Sequence, residues 1–190
     1  MIETDRLLIR NFTENDWQDL KGYISKDEVV RFEPGWDPSE DACRKRVKEL
    51  ARRSGFWAVE LKSAGKMIGH IIFDRIPPMN LRTWMIGYIF DSDFYGNGYA
   101  TEACKALISY GFNDLEIHRV MAKCSPENTR SWRLLERIGM RREGHLKKSL
   151  TFNATSDGEP IWWDEYLYAI LREEWHGEEN VNAGHSPPPF

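Results

Sequence analysis

At 190 residues, with 41% hydrophobic and 29% charged side chains, the chain has the length and composition of one globular domain with a real core. Its net charge of −4 argues against nonspecific nucleic-acid binding, and no apolar run approaches the ~18 residues that span a bilayer. Three cysteines without C-x-x-C spacing and five histidines without an H-x-x-x-H pair predict no metal site and a reducing, cytoplasmic setting.

In chain order, Arg6 to Arg10 alternates and predicts a strand. Thr13-x-x-Asp16 is a capping signature, and Trp17, Leu20 and Ile24 follow at helical spacing. Asp37-Pro-Ser-Glu40 predicts a second helix with Pro38 at its first position, running to Arg53 and ended by Gly55. Phe56 to Leu61 and Lys66 to Asp74 form a hairpin around Lys62-Ser-Ala-Gly65. Trp84 to Phe90 is the next strand, and Thr101 to Phe112 has a helical pattern. His118 to Cys124 reads as a strand. Asn128 caps a helix that runs to Ile138 and closes at Gly139. Arg141 to Leu150 and Trp163 to Leu171 are two final strands. Residues 1–175 read as one domain, and the polar stretch 176–190, with three prolines, reads as a disordered tail. Hairpins followed by strand–helix–strand–helix–strand give an α/β (α+β) fold class with a mixed sheet.

The most informative stretch is Asp91-Ser-Asp-Phe-Tyr-Gly-Asn-Gly-Tyr-Ala-Thr-Glu-Ala103. A strand that turns through glycines into a helix start aims free N–H groups and the positive end of the helix dipole at one point. Such a point favours phosphate. No Gly-Lys-Ser/Thr follows, so this is not a Walker A loop. Thr101 stands where a dinucleotide fingerprint has its third glycine.

Tyr95-x-x-Gly98-x-Ala100 resembles the Gln/Arg-x-x-Gly-x-Gly/Ala pyrophosphate loop of GNAT N-acetyltransferases, with Tyr95 in place of Gln or Arg. The longer string Phe94 to Ala103 is similar to the RimJ/RimL-like, ribosomal-protein N-acetyltransferase branch. Three further blocks carry the same resemblance: Glu3-Thr-Asp-Arg-Leu-Leu-Ile-Arg10, Ile68-Gly69-His70-Ile71, and Pro126-Glu-Asn128-Thr-Arg-Ser131 with Leu134 to Met140.

The resemblance implies a single domain with a central, mostly antiparallel twisted sheet of about seven strands flanked by about four helices. It implies acetyl-CoA as donor and direct transfer of acetyl to a primary amine. The pyrophosphate would lie on N–H groups of Tyr95, Gly96, Gly98, Tyr99, Ala100 and Thr101. An N–H of Ile89 or Phe90 would meet the oxyanion. Ser131 would protonate the leaving thiolate, and Asn128 would contact the pantetheine. Glu102, Asp74, Glu165 and Glu33 are the alternatives for a base, beside a water chain.

By the same analogy, the acceptor groove falls on Val29 to Asp37 and Phe152 to Trp163. Phe32, Glu33 and Trp36 would bind the amine with Tyr166, alongside Trp162, Trp163, Asp157 and Glu159; Tyr168 is a further candidate. The acceptor is a protein or peptide N-terminus, with a small amine (polyamine, amino acid or aminoglycoside) or a catalytically silent acetyl-CoA-binding module as alternatives. Neither nucleic acid nor membrane is a partner. Analogy also implies a homodimer, with 163–171 as the edge strand for pairing.

Overall fold

The structure is a computed structural model that describes residues 1–176. Residues 177–190, most of the expected disordered tail, lie outside the described residues. The chain opens with two short strands, β1 (Ile2–Glu3) and β2 (Leu7–Arg10). Three helices follow: α1 (Trp17–Ile24), α2 (Asp27–Val30) and α3 (Glu40–Ala51). Thr13 and Asp16 form the expected capping box. The start of α3 lies later than Pro38, because Ser39 is the N-cap and its hydroxyl accepts from the Ala42 N–H. The four-residue α2 is too short to show a period in sequence.

Next come β3 (Phe56–Leu61), β4 (Lys66–Arg75) and β5 (Thr83–Phe90), then α4 (Tyr99–Asp114). The chain ends with β6 (Arg119–Cys124), α5 (Thr129–Arg137), β7 (Arg141–Ala154) and β8 (Pro160–Leu171). One eight-stranded sheet results, in the order β1-β2-β3-β4-β5-β6-β8-β7. Among the described residues, only β5 and β6 run parallel, as expected for two strands joined through a helix. The α/β architecture with a mixed, mostly antiparallel sheet is therefore as expected, with one more strand and one more helix.

Two cores cover the two faces of the sheet. Leu107, Phe112, Leu134 and Ile138 from α4 and α5 pack on Ile71, Phe73, Ile86 and Phe90. Leu20 and Tyr23 of α1 and Val47 and Leu50 of α3 pack on Ala58, Met67 and Ile89. In the second core, His70 is buried with its Nδ1 2.7 Å from the Tyr23 hydroxyl, and Trp36 meets its ring edge-on.

Strand β8 lies between β6 and β7, so the expected edge at 163–171 is an interior strand and β7 is the edge. The pairing of β6 stops at Tyr166. Beyond that point β7 and β8 continue as a two-stranded arm, with Phe152, Ile161 and Trp162 exposed.

Candidate active site

The site begins where β5 runs out. Two conformations that glycine adopts without steric cost, Gly96 at φ +81° and Gly98 at φ +81°, turn the chain into α4. Asn97 closes the turn by donating from Nδ2 to the carbonyls of Phe94 and Tyr95, both at 3.2 Å. Among the described residues, the N–H groups of Gly96, Asn97, Gly98, Tyr99, Ala100 and Thr101 donate to no protein acceptor. A row of unfilled donors at the start of a 16-residue helix is the arrangement that attracts an anion. Open space lies above it, since a Cβ added at Gly96 would meet nothing within 4 Å. Cationic groups flank the row. Arg130 stacks over the Tyr95 ring at 5.0 Å, and Arg137 donates to the Thr101 hydroxyl at 3.3 Å.

Tyr95 departs from expectation. Its N–H donates to the Ser92 carbonyl at 3.2 Å, because a 3₁₀ turn (Ser92–Phe94) ends there. Its backbone donor is thus already taken, and only its ring, 37% exposed, faces outward.

Beside the loop the sheet opens. Strands β5 and β6 pair only over Thr83–Met85 and Arg119–Met121. After that β6 stays with β8 and β5 stays with β4, leaving a wedge between them. Strand alternation decides which N–H faces the wedge. Asp91 donates to the Ile68 carbonyl at 2.8 Å, directly across from it in the β4–β5 register. Ile89, two residues earlier, is turned the same way, toward His70 of β4. The Tyr88 and Phe90 N–H groups therefore face the wedge. Of the two expected oxyanion donors, Phe90 has the required direction and Ile89 does not.

Helix α5 closes the wedge on one face. Asn128 Oδ1 accepts from the Ser131 N–H at 3.2 Å, so the Asn128 side chain is the N-cap and its oxygen is committed there. The Ser131 hydroxyl lies 3.0 Å from the Tyr88 hydroxyl, which also reaches the Ser131 carbonyl at 3.1 Å. Burial pushes the nearby Cys124 thiol up to about 11. Burial likewise pushes the Tyr88 phenol well above its usual value, so it stays protonated and can donate. Sequence reading missed Tyr88. The available signal was a lone tyrosine in an apolar strand, whose hydroxyl needs a partner.

The opposite face holds the carboxylates. Glu165 of β8 is buried and accepts from Lys123 at 3.1 Å and from Ser149 at 2.8 Å. Glu33, in the segment between α2 and α3, lies near enough to feel its charge. Desolvation by neighbouring groups and then the Glu165 charge raise the Glu33 carboxyl above its ordinary value, although the residue is exposed to solvent. Gly87 presents no side chain on this face of β5. Phe32, half-buried, lies next to Glu33 with the Arg31 guanidinium over its ring.

Other expected residues fall elsewhere. Trp36 meets His70 edge-on and lines a separate cavity of about 220 Å³ with Ile24, Cys43 and Arg46, so it belongs to the second core. Tyr166 alternates with Glu165 and therefore lies on the α5 face, under Arg142 at 3.8 Å. Tyr168 is buried and holds Arg142 and Glu136 at 2.8 and 2.9 Å. Trp162 and Trp163 point to opposite faces of β8. Asp74 pairs with Met85 at the far end of β5. Glu102 is engaged by Thr4 at 2.5 Å and Arg6 at 2.7 Å. Burial raises its pKa, but those hydrogen bonds outweigh burial and hold it below the usual carboxylate range. Neither Asp74 nor Glu102 is placed to take a proton in the wedge.

Among the described residues, no helix is long and apolar enough to cross a membrane, and no group of three or more His, Cys, Asp or Glu side chains could hold a metal ion.

Comparison with known proteins adds relatives to this geometry. A family model described as an acetyltransferase (GNAT) domain matches residues 6–141. The chain is 40% identical over 176 residues to YnaD, an uncharacterized N-acetyltransferase of Bacillus subtilis, covering 92% of this chain and 99% of the relative. It is 27% identical over 186 residues to the ribosomal protein uS5-alanine N-acetyltransferase of Escherichia coli, covering 92% of each. The crystal structure of a GNAT-family acetyltransferase from Bacillus anthracis matches with a TM-score of 0.81 at 38% identity, over 91% of this chain and 99% of that one. A wedge between β5 and β6 with a bare amide loop at its mouth, on a chain matched along nearly its whole length, has one reading: the protein belongs to the GNAT family of N-acetyltransferases and is an acyltransferase.

Proposed function

We propose that this enzyme moves an acetyl group from acetyl-CoA to the primary amine at a polypeptide N-terminus. The observation that carries the donor assignment is the row of unpartnered N–H groups from Gly96 to Thr101 at the mouth of the wedge. These residues would hold the pyrophosphate, with Arg130 and Arg137 adding positive charge beside them. Bound there, acetyl-CoA supplies an activated acetyl group as a thioester.

The chain's own residues then have separate tasks. The Phe90 N–H faces the wedge, where negative charge on a carbonyl oxygen is best met by a fixed backbone donor. Ser131, whose hydroxyl is held 3.0 Å from the Tyr88 hydroxyl, can give its proton to a departing thiolate. Glu33, with its raised pKa, would take the proton that an ammonium must lose before it attacks. The Glu33–Glu165 pair also favours a cationic acceptor arriving from solvent. The uS5-alanine relative supports a peptide amine over a small one.

The test is free-CoA release with a panel of short peptides and small amines. Peptides with a free N-terminus should be acetylated and N-blocked ones not. Turnover of polyamines or amino acids alone would move the acceptor to small amines. Acetyl-CoA binding without turnover of any amine would leave a binding module.

A further inference from the structure

The turn between β1 and β2 is not spent on strand pairing alone. It reaches across to the donor loop, 91 residues away in sequence. Arg6 NH1 donates to the Asn97 carbonyl at 2.9 Å. The rest of its guanidinium is fixed from behind. Nε donates to Glu102 at 2.7 Å, NH2 lies 2.5 Å from the same carboxylate oxygen, and the plane stacks over Tyr99 at 4.6 Å. Glu102 in turn accepts from the Thr4 hydroxyl at 2.5 Å and from the Arg6 N–H at 3.2 Å. Thr4 Oγ1 accepts from the Leu7 N–H at 3.0 Å, which ties the assembly to β2.

The consequence lies in one peptide plane. The Asn97–Gly98 bond is trans. In a trans peptide the C=O and the N–H point in opposite directions. A carbonyl held on Arg6 therefore turns the Gly98 N–H away from Arg6, to the other side of the loop. Among the described residues, no other hydrogen bond holds the Asn97 carbonyl or the Gly98 N–H. Gly98 tolerates either sign of φ, and a Cβ there would meet only Arg6 NH2, at 3.5 Å. Without the brace, the plane is free to turn over and present a carbonyl oxygen where an anion needs a donor.

We propose that Arg6 is a positioning residue for the donor loop, fixing the Gly98 N–H toward the bound pyrophosphate through its hold on the Asn97 carbonyl. This rests on the reading of the loop as the pyrophosphate site. Planarity is part of the device, since one guanidinium serves Glu102 and Asn97 together and a lysine ammonium cannot span both in that geometry.

Calorimetry with acetyl-CoA and steady-state kinetics test it on Arg6→Met, which keeps the aliphatic stem against Tyr99. Kd and KM for acetyl-CoA should rise about tenfold or more, the scale of one charge-assisted hydrogen bond. At saturating donor, kcat should stay within about twofold. Arg6→Lys should recover only part of the affinity, and Glu102→Gln should weaken binding in the same direction by less. Gly98→Trp, which forces a bulky residue into the loop at a φ of +81°, serves as the control. Unchanged affinity in Arg6→Met with binding lost in Gly98→Trp would overturn the brace and leave the loop reading standing. Unchanged affinity in both would overturn the two together. A lower Tm with unchanged Kd and KM would make Arg6 a purely structural residue.

Discussion

Replacing Ser131 by alanine separates a catalytic hydroxyl from a structural one, because the structure limits what else the change can do. The cap of α5 uses the Ser131 N–H and the Asn128 side chain, and alanine keeps both. Tyr88 loses the hydroxyl at 3.0 Å but keeps the Ser131 carbonyl at 3.1 Å, so no buried phenol is orphaned. The stability cost is then one neutral hydrogen bond, about 0.5–1.5 kcal/mol. For a chain of this size that is roughly 2–4 °C of Tm per kcal/mol. A general acid that acts only as the C–S bond breaks is worth about 10²–10⁴-fold in rate, with little effect on donor affinity. Steady-state turnover and calorimetric Kd, both measured well below the melting transition, should show kcat down by that factor and Kd unchanged. A Ser131→Ala enzyme with wild-type kcat and a slightly lowered Tm would refute the role and leave the proton to water.

Three other perturbations follow from the same geometry. With Glu33 as base, kcat/KM should fall as pH drops through its raised pKa, and Glu33→Gln should lower the plateau and remove that acid limb; an acid limb that survives in Glu33→Gln refutes it. Gly69→Ala should destabilise by about 1–3 kcal/mol, because the new Cβ would fall 2.6 Å from the Ile89 carbonyl and 2.7 Å from the Phe90 ring; an unchanged Tm would show that β4 and β5 give way freely. His70 is held neutral by burial, its pKa lowered from 6.5 to about 4, so between those values the unfolded chain binds the extra proton. Stability should therefore fall as pH drops from about 6.5 toward 4, by up to about 3 kcal/mol, and a His70→Gln variant followed by thermal unfolding across that range should lose this slope.

The sequence by itself carried what is decided within a few residues. The strand–glycine loop–helix unit, the Asn128 cap and the Thr13–Asp16 capping box are all local, and each is a matter of which N–H or C=O lacks a neighbour. That locality is why the bare amide row of Gly96 to Thr101 was legible, and why the four blocks in order placed the fold. What depends on strand pairing was not legible. Whether β8 is an edge or an interior strand is set by its returning between β6 and β7, which reversed the expected edge at 163–171. Register decided that Phe90 rather than Ile89 faces the wedge, and alternation put Trp162 and Trp163, and Glu165 and Tyr166, on opposite faces. Tyr88 meets Ser131 across 43 residues and Arg6 meets Asn97 across 91. Contacts of that range leave no period or spacing in the chain, because they exist only once the sheet has fixed which elements lie side by side.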